Sequence, residues 1–142
     1  MFKRIIWATD GSDSADKALP LVQSLAKEGG ASVEAVHVVE HLLGPRAGGE
    51  PLNADEPETQ AKLEKQVESL SGDGVEAKLT VKGGHQSIAA HAIADVAKES
   101  GADVIIVGTR GHSALGAVVV GSVTQRLLHI APCPVLAVPD HA

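Results

Sequence analysis

The run "DVIIVG", residues 103–108, most narrows what this chain can fold into. Its apolar residues are consecutive rather than alternating, so a strand built from it is buried on both faces, as in a parallel sheet covered by helices. Other segments agree. "KRIIWATD" reads as a first strand over roughly residues 3–9, "ASVEAVHVVE" as a second, "VEAKLTVKG" as a third and "PVLAVP" as the last. Between them lie amphipathic stretches: Ala15, Ala18, Leu19, Val22, Leu25 and Ala26, then Leu63, Val67 and Leu70, then Ile88, Ala89, Ala92, Ile93, Val96 and Ala97. Val123, Leu127 and Leu128 mark a short final helix that "APCP" terminates. Strands alternating with helices at crossover length predict a parallel α/β sheet. The chain has 142 residues and no internal repeat, so a single domain over 1–142 is expected.

Local signals set the element ends. Ser12, Asp13 and Ser14 are candidate N-caps of the first helix, and Gly29–Gly30 ends it. Pro20 falls inside that helix, where it removes one hydrogen bond and predicts a kink. Residues 41–57, with three prolines, three glycines and no periodicity, predict a loop. Ser122 and Gln125 have the spacing of a capping box at the start of the last helix.

Composition excludes several function classes. Hydrophobic residues are 44% of the chain, yet Phe2 and Trp7 are the only Phe, Tyr or Trp, so Val, Ile, Leu and Ala must build the core. The net charge is −6 without a Lys/Arg cluster, which disfavours a nucleic-acid surface. No apolar run reaches the roughly 18–20 residues of a membrane span, and the first residues lack a signal-peptide pattern. The single cysteine, Cys133, forms no intramolecular disulfide and suits a reducing cytoplasm; its surroundings predict a small core residue. The seven histidines, among them His37, His41, His85 and His91, show no metal-ligand spacing.

Chemistry gathers at two strand ends. In open α/β sheets, ligands sit beyond the carboxyl ends of the strands, where strand order reverses. The first strand ends "ATDGS", with Asp10 at its tip, and the fourth ends "VGTRG", with Gly108 and Gly111 at its tip. If these strands are neighbours, a carboxylate faces a glycine-rich turn across a crevice. Gly108 and Gly111 would let backbone approach a ligand, Arg110 stands between them within reach of a phosphate, and Gly121–Ser122 precede a helix whose N-terminus favours an anion. Gly116 reads as a turn residue, and "ALGAVVV" as packing on the sheet or on a partner subunit. The alternative for Asp10 is to cap the first helix or satisfy the "GSDS" turn, but a strand-end carboxylate at a crevice is the better-placed explanation. The segment is not a P-loop or a dinucleotide fingerprint, and Leu115 breaks the nucleophile-elbow pattern.

The spacing Gly108-x2-Gly111-x9-Gly121-Ser122, followed by "VTQRLLHIAPCPVLAVP", closely resembles the ATP-binding signature and C-terminus of the universal stress protein family. The opening "KRIIWATDGSDSADKAL" and "VHVVE" resemble that family's first strand, first helix and second strand. The resemblance spans essentially the whole chain except residues 41–57. It implies a five-stranded parallel sheet of order 3-2-1-4-5 with helices on both faces, a three-layer sandwich like that of the adenine-nucleotide alpha-hydrolases. It also implies ATP as ligand, with Mg²⁺ carried by the phosphates. Asp10 would then lie near the nucleoside, Ala8 beside the base, and the Val38 backbone on the adenine. Val107, Gly108 and Gly111 would border ribose and phosphates, while Gly121, Ser122 and Val123 would cradle the phosphates. Homodimers through the last strand are a further implication. The expected role is nucleotide-dependent regulation in a stress response, with at most slow ATP hydrolysis. The alternatives are an interaction protein working through its dimer surface, and a binder of AMP or cyclic AMP in the same crevice.

Overall fold

A computed structural model of the chain describes residues 1–40, 56–84, 89–109 and 120–140. In chain order the elements are β1 (Arg4–Ala8), α1 (Asp13–Gly29), β2 (Ser32–Glu40), α2 (Glu56–Gly72), β3 (Ala77–Gly84), α3 (Ala89–Ser100), β4 (Val104–Gly108), α4 (Ser122–Ile130) and β5 (Val135–Val138). The strands form one sheet of order β3-β2-β1-β4-β5 with every pairing parallel. β1 is central: Ala8 pairs with Val36 of β2 on one side and Val107 of β4 on the other.

Side-chain alternation along the strands divides the core into two layers. Ile5, Trp7, Val33, Ala35, Val104 and Ile106 pack under α1 and α2, with Val22, Leu63 and Leu70. Ile6, Ala8, Val36, Ile105 and Val107 pack on the other face under α3 and α4, with Ile93, Val96 and Leu127. All five residues of β4 are buried, as its unalternated apolar run requires. Full burial of side chains such as Ile5, Ile6, Leu63 and Leu127 is worth about 1.5–3 kcal/mol each. Trp7 is fully buried, and its indole N–H donates to the Ala15 carbonyl at 3.3 Å. β3 lies at an edge and keeps Ala77 and Leu79 against the core, while Val81 is exposed.

Ser12 caps α1, its Oγ accepting from the Ala15 N–H at 3.3 Å, and Asp13 and Asp16 complement the dipole in the first turn. The helix continues through Pro20 as a single element and ends at Gly30, whose N–H donates to the Ala26 carbonyl. Two basic side chains at the other end of the sheet close helix C-termini. Lys3 Nζ donates to the Gly29 carbonyl at 2.9 Å, and Arg4 Nη1 donates to the Ser100 carbonyl. Asp103 joins them, its Oδ2 accepting from the Lys3 and Arg4 amides at 2.7 and 2.8 Å. Those two backbone hydrogen bonds hold the Asp103 carboxyl below its usual range.

Two expectations change. The loop expected over residues 41–57 gives way to helix at Glu56. Pro57 then stands in the first turn, where its missing N–H costs no intrahelical bond. Nor does Ser122 form the capping box: Gly121 is the N-cap, with no side-chain cap. Gly121 is extended and its carbonyl accepts from the Gln125 N–H at 3.0 Å, so Ser122 falls inside the first turn with its side chain exposed. The Gln125 amide donates instead to the Val120 carbonyl at 3.1 Å.

Candidate functional site

The first and fourth strands are neighbours, so their carboxyl ends, at Ala8 and Val107, lie side by side. After β1 the chain makes a tight turn. The Asp10 Oδ1 accepts from the Ser12 N–H at 2.9 Å, the Asx turn that an aspartate two residues before a helix cap favours. The Thr9 Oγ1 accepts from the Gly11 N–H at 3.1 Å. Gly11 has φ +79°, and a Cβ there would lie 2.7 Å from the Thr59 methyl of α2. Conformation and space both demand glycine.

The exit of β4 is tied directly to the start of α4. The Gly121 N–H donates to the Thr109 carbonyl at 2.6 Å, and the buried Thr124 hydroxyl donates to the Gly108 carbonyl at 2.9 Å. The Thr109 N–H donates to the Val138 carbonyl of β5 at 3.2 Å. Gly108 and Gly121, thirteen residues apart in sequence, therefore belong to one small surface. The N–H groups of Ser122, Val123 and Thr124 lie in the first turn of α4, where a helix supplies no carbonyl to receive them. Such a terminus attracts anions.

The remaining expected site residues fall as follows. Ala8 and Val107 are buried, and their side chains belong to the core under α3 and α4; Val38 and Val123 are half-buried against the same cluster. The side chains of Ala8 and Val107 are thus taken up by the core. Gly108 has a second reason to be glycine, since its Cβ would lie 2.6 Å from both the carbonyl oxygen and the Oγ of Ser14 in α1. Arg110 and Gly111 lie outside the described residues, as do Gly116 and most of the "ALGAVVV" run.

Sequence reasoning passed over the residues that hold these turns. In sequence His37 suggests no more than a metal ligand without partners, yet it is buried and lies between the Thr9 carbonyl and Glu56. Lys62 donates to the Gly11 carbonyl at 2.8 Å and to Asp16 at 2.6 Å. The one available signal was the Glu56-Pro57 pair, which also fits a helix start. Cys133 is half-buried against the α3–α4 core, and burial, with the negative Asp103 adding to it, raises its thiol pKa. Among the described residues, no group of three or more His, Cys, Asp or Glu side chains is placed to hold a metal ion.

The sequence profile of the universal stress protein family matches residues 1–139. The universal stress protein in the QAH/OAS sulfhydrylase 3′ region of Thermus aquaticus is 36% identical over 142 residues, covering 97% of this chain and 99% of that one. Among solved structures, the Methanocaldococcus jannaschii protein MJ0577 superposes with a TM-score of 0.80 at 26% identity, covering 98% of this chain and 96% of that one. Two more distant structures share the fold. One is a universal stress protein in complex with cAMP (TM-score 0.70, 19% identity, 98% of each chain). The other is the Archaeoglobus fulgidus protein in complex with dAMP (0.69, 24%, 96% of this chain and 97% of that one). With a family profile and a relative that both run almost end to end, this chain belongs to the universal stress protein family.

Proposed function

We propose that this protein binds an adenine nucleotide, ATP, at the tips of β1 and β4, and acts as a nucleotide-dependent regulator in a stress response. The observation that carries the reading is the pair of hydrogen bonds joining Gly108–Thr109 to Gly121 and Thr124, which makes the β4 exit and the α4 N-terminus one surface beside the Asp10 turn. In this reading Asp10 meets the nucleoside, and the backbone at Ala8 and Val38 borders the base. Val107, Gly108, Arg110 and Gly111 line ribose and phosphates, and the amides of Gly121, Ser122 and Val123 receive the phosphates. Mg²⁺ arrives on the triphosphate, because this metal keeps several waters and binds chiefly through substrate phosphates.

Binding rather than catalysis is the proposed business of the site. Its effect follows if nucleotide favours one of two conformations or partner surfaces. A second reading, a monophosphate such as AMP or cyclic AMP, draws on the cAMP and dAMP complexes of the two distant relatives. We also propose a homodimer through β5. That strand is at a sheet edge, and Leu136 on it and Leu128 on α4 are 37% and 58% exposed. A cytoplasmic location accompanies this reading; among the described residues no helix is long and apolar enough to cross a membrane.

Native mass spectrometry of freshly purified protein, followed by calorimetric titration with ATP, AMP and cyclic AMP, tests the ligand. ATP is expected to bind, and at a hundredfold over its Kd to add about 2.7 kcal/mol of stability. Gly121→Val, which puts a branched side chain at the N-cap, is expected to abolish binding in a folded domain. Unchanged affinity in that variant, or no adenine nucleotide bound by the wild type, refutes the assignment. Tighter binding of cyclic AMP or AMP than of ATP selects the second reading.

A further inference from the structure

Among the described residues, His37 and Glu56 are the two ionisable side chains in the buried class, 3% and 5% exposed. Burying such groups is costly unless they are paired and hydrogen-bonded, and here both conditions hold. A carbonyl only accepts, so His37 Nδ1 carries a hydrogen and donates to the Thr9 carbonyl at 3.0 Å. His37 Nε2 faces both Glu56 carboxylate oxygens at 2.9 Å. One imidazole thereby joins three elements: the exit of β1, its own strand β2, and the first turn of α2.

The contacts converge on the turn that carries Asp10. The Thr9 N–H donates to the Val36 carbonyl of β2 at 3.0 Å, so β2 holds Thr9 by its N–H through backbone and by its C=O through His37. α2 supports the same turn at three-residue steps along one face. Glu56 grips His37, the Thr59 methyl fills the space beside Gly11, and Lys62 donates to the Gly11 carbonyl. His37 also immediately precedes Val38, whose backbone borders the base in the reading above.

We propose that His37 and Glu56 are positioning residues of the nucleotide site, a clamp that fixes the Asp10 turn against the tip of β2 and so sets the slot for a purine nucleoside. This rests on the nucleotide reading, while the clamp itself is measurable in protein without ligand. Glu56→Gln keeps the size of the side chain and removes its charge. It is expected to speed amide hydrogen exchange at Gly11 and Ser12 in the free protein, and to weaken ATP binding by about tenfold. Val96→Ala, on the opposite face of the sheet and two turns into α3, serves as the destabilised control and is expected to bind as the wild type does. Glu56→Asp retains the carboxylate and is expected to fall between wild type and Glu56→Gln; it takes the place of Glu56→Gln in both assays should that variant not fold.

Unchanged exchange at Gly11 and Ser12 in Glu56→Gln overturns the clamp, whatever the wild type binds. Accelerated exchange with undiminished ATP affinity overturns its role in positioning the ligand, as does an equal loss of affinity in Val96→Ala. A wild type that binds no adenine nucleotide, with exchange still accelerated in the variant, removes the site assignment and leaves the clamp on the turn supported.

Discussion

Gly108→Ala separates two reasons for a glycine at the tip of β4. If this glycine serves only a ligand, adding a methyl group leaves the ligand-free protein as stable as before. The structure gives another expectation. The new Cβ would lie 2.6 Å from the Ser14 carbonyl oxygen, 2.6 Å from its Oγ and 2.7 Å from its carbonyl carbon. That is about 0.8 Å inside an ordinary contact of 3.4 Å. Two of the three atoms are backbone of α1, so a rotamer change at Ser14 cannot relieve the overlap, and the first turn of α1 must move off β4. Overpacking of this kind costs about 1–3 kcal/mol. For a chain of this size that corresponds to a fall in Tm of roughly 3–10 °C. Differential scanning calorimetry without nucleotide reads it directly. Gly72→Ala is a control of opposite sign: it lies at the end of α2, its Cβ would meet nothing within 4 Å, and up to about 1 kcal/mol of stabilisation is expected. A Gly108→Ala protein melting within 1 °C of wild type would refute the packing argument and return this glycine to the ligand.

Two further variants probe the supports of the sheet ends. Thr124→Val keeps the buried shape but removes the hydroxyl that donates to the Gly108 carbonyl; a loss of about 1–2 kcal/mol in chemical denaturation is expected, and an unchanged midpoint would show that this bond does not hold the β4 exit to α4. Asp103→Asn keeps an acceptor for the Lys3 and Arg4 amides but loses the negative charge that those two hydrogen bonds stabilise and by which they lower the carboxyl's folded pKa. A group depressed in the folded state stabilises above its unfolded pKa and loses that contribution as pH falls through the folded one. The wild type is therefore expected to be the more stable protein at pH 7, with the gap closing only below about pH 4 in pH-resolved melts. A gap that widens on acidification would contradict the assigned hydrogen bonds.

Much of the fold was written in local patterns. The buried run at 103–108 is β4, trimmed by one residue, and the Ala15–Ala26 stripe is the inward face of α1. The strand order came from the family resemblance, since apolar runs specify strands but not their neighbours. At the start of α2 the helix signal of Glu56-Pro57 is outweighed by the prolines and glycines before it, which speak for a loop, while the stabilising partner of Glu56 lies nineteen residues away on β2. Likewise Ser122–Gln125 has the spacing of a capping box, but the backbone at Gly121 takes the cap first. At the site, chain order and glycine spacing pointed to the β1 and β4 tips. They could not reveal that Gly108 packs on Ser14 or that His37 holds Thr9, since neither contact repeats at any local period.

The middle place of β1 bears on how the chain is made. Ile5 pairs with Val104, so β1, made before the other four strands of this sheet, waits about a hundred residues for one of its two neighbours. Until β4 emerges, one edge of β1 lacks its native partner, although Ile5 and Trp7 already have α1, β2 and α2 to pack against, and that open edge favours association with chaperones or with other nascent chains. Synthesis that stalls before residue 104 would leave a half-sheet with β1, central in the finished sheet, at its rim, and codon changes that slow translation there should lower soluble yield without altering the finished protein.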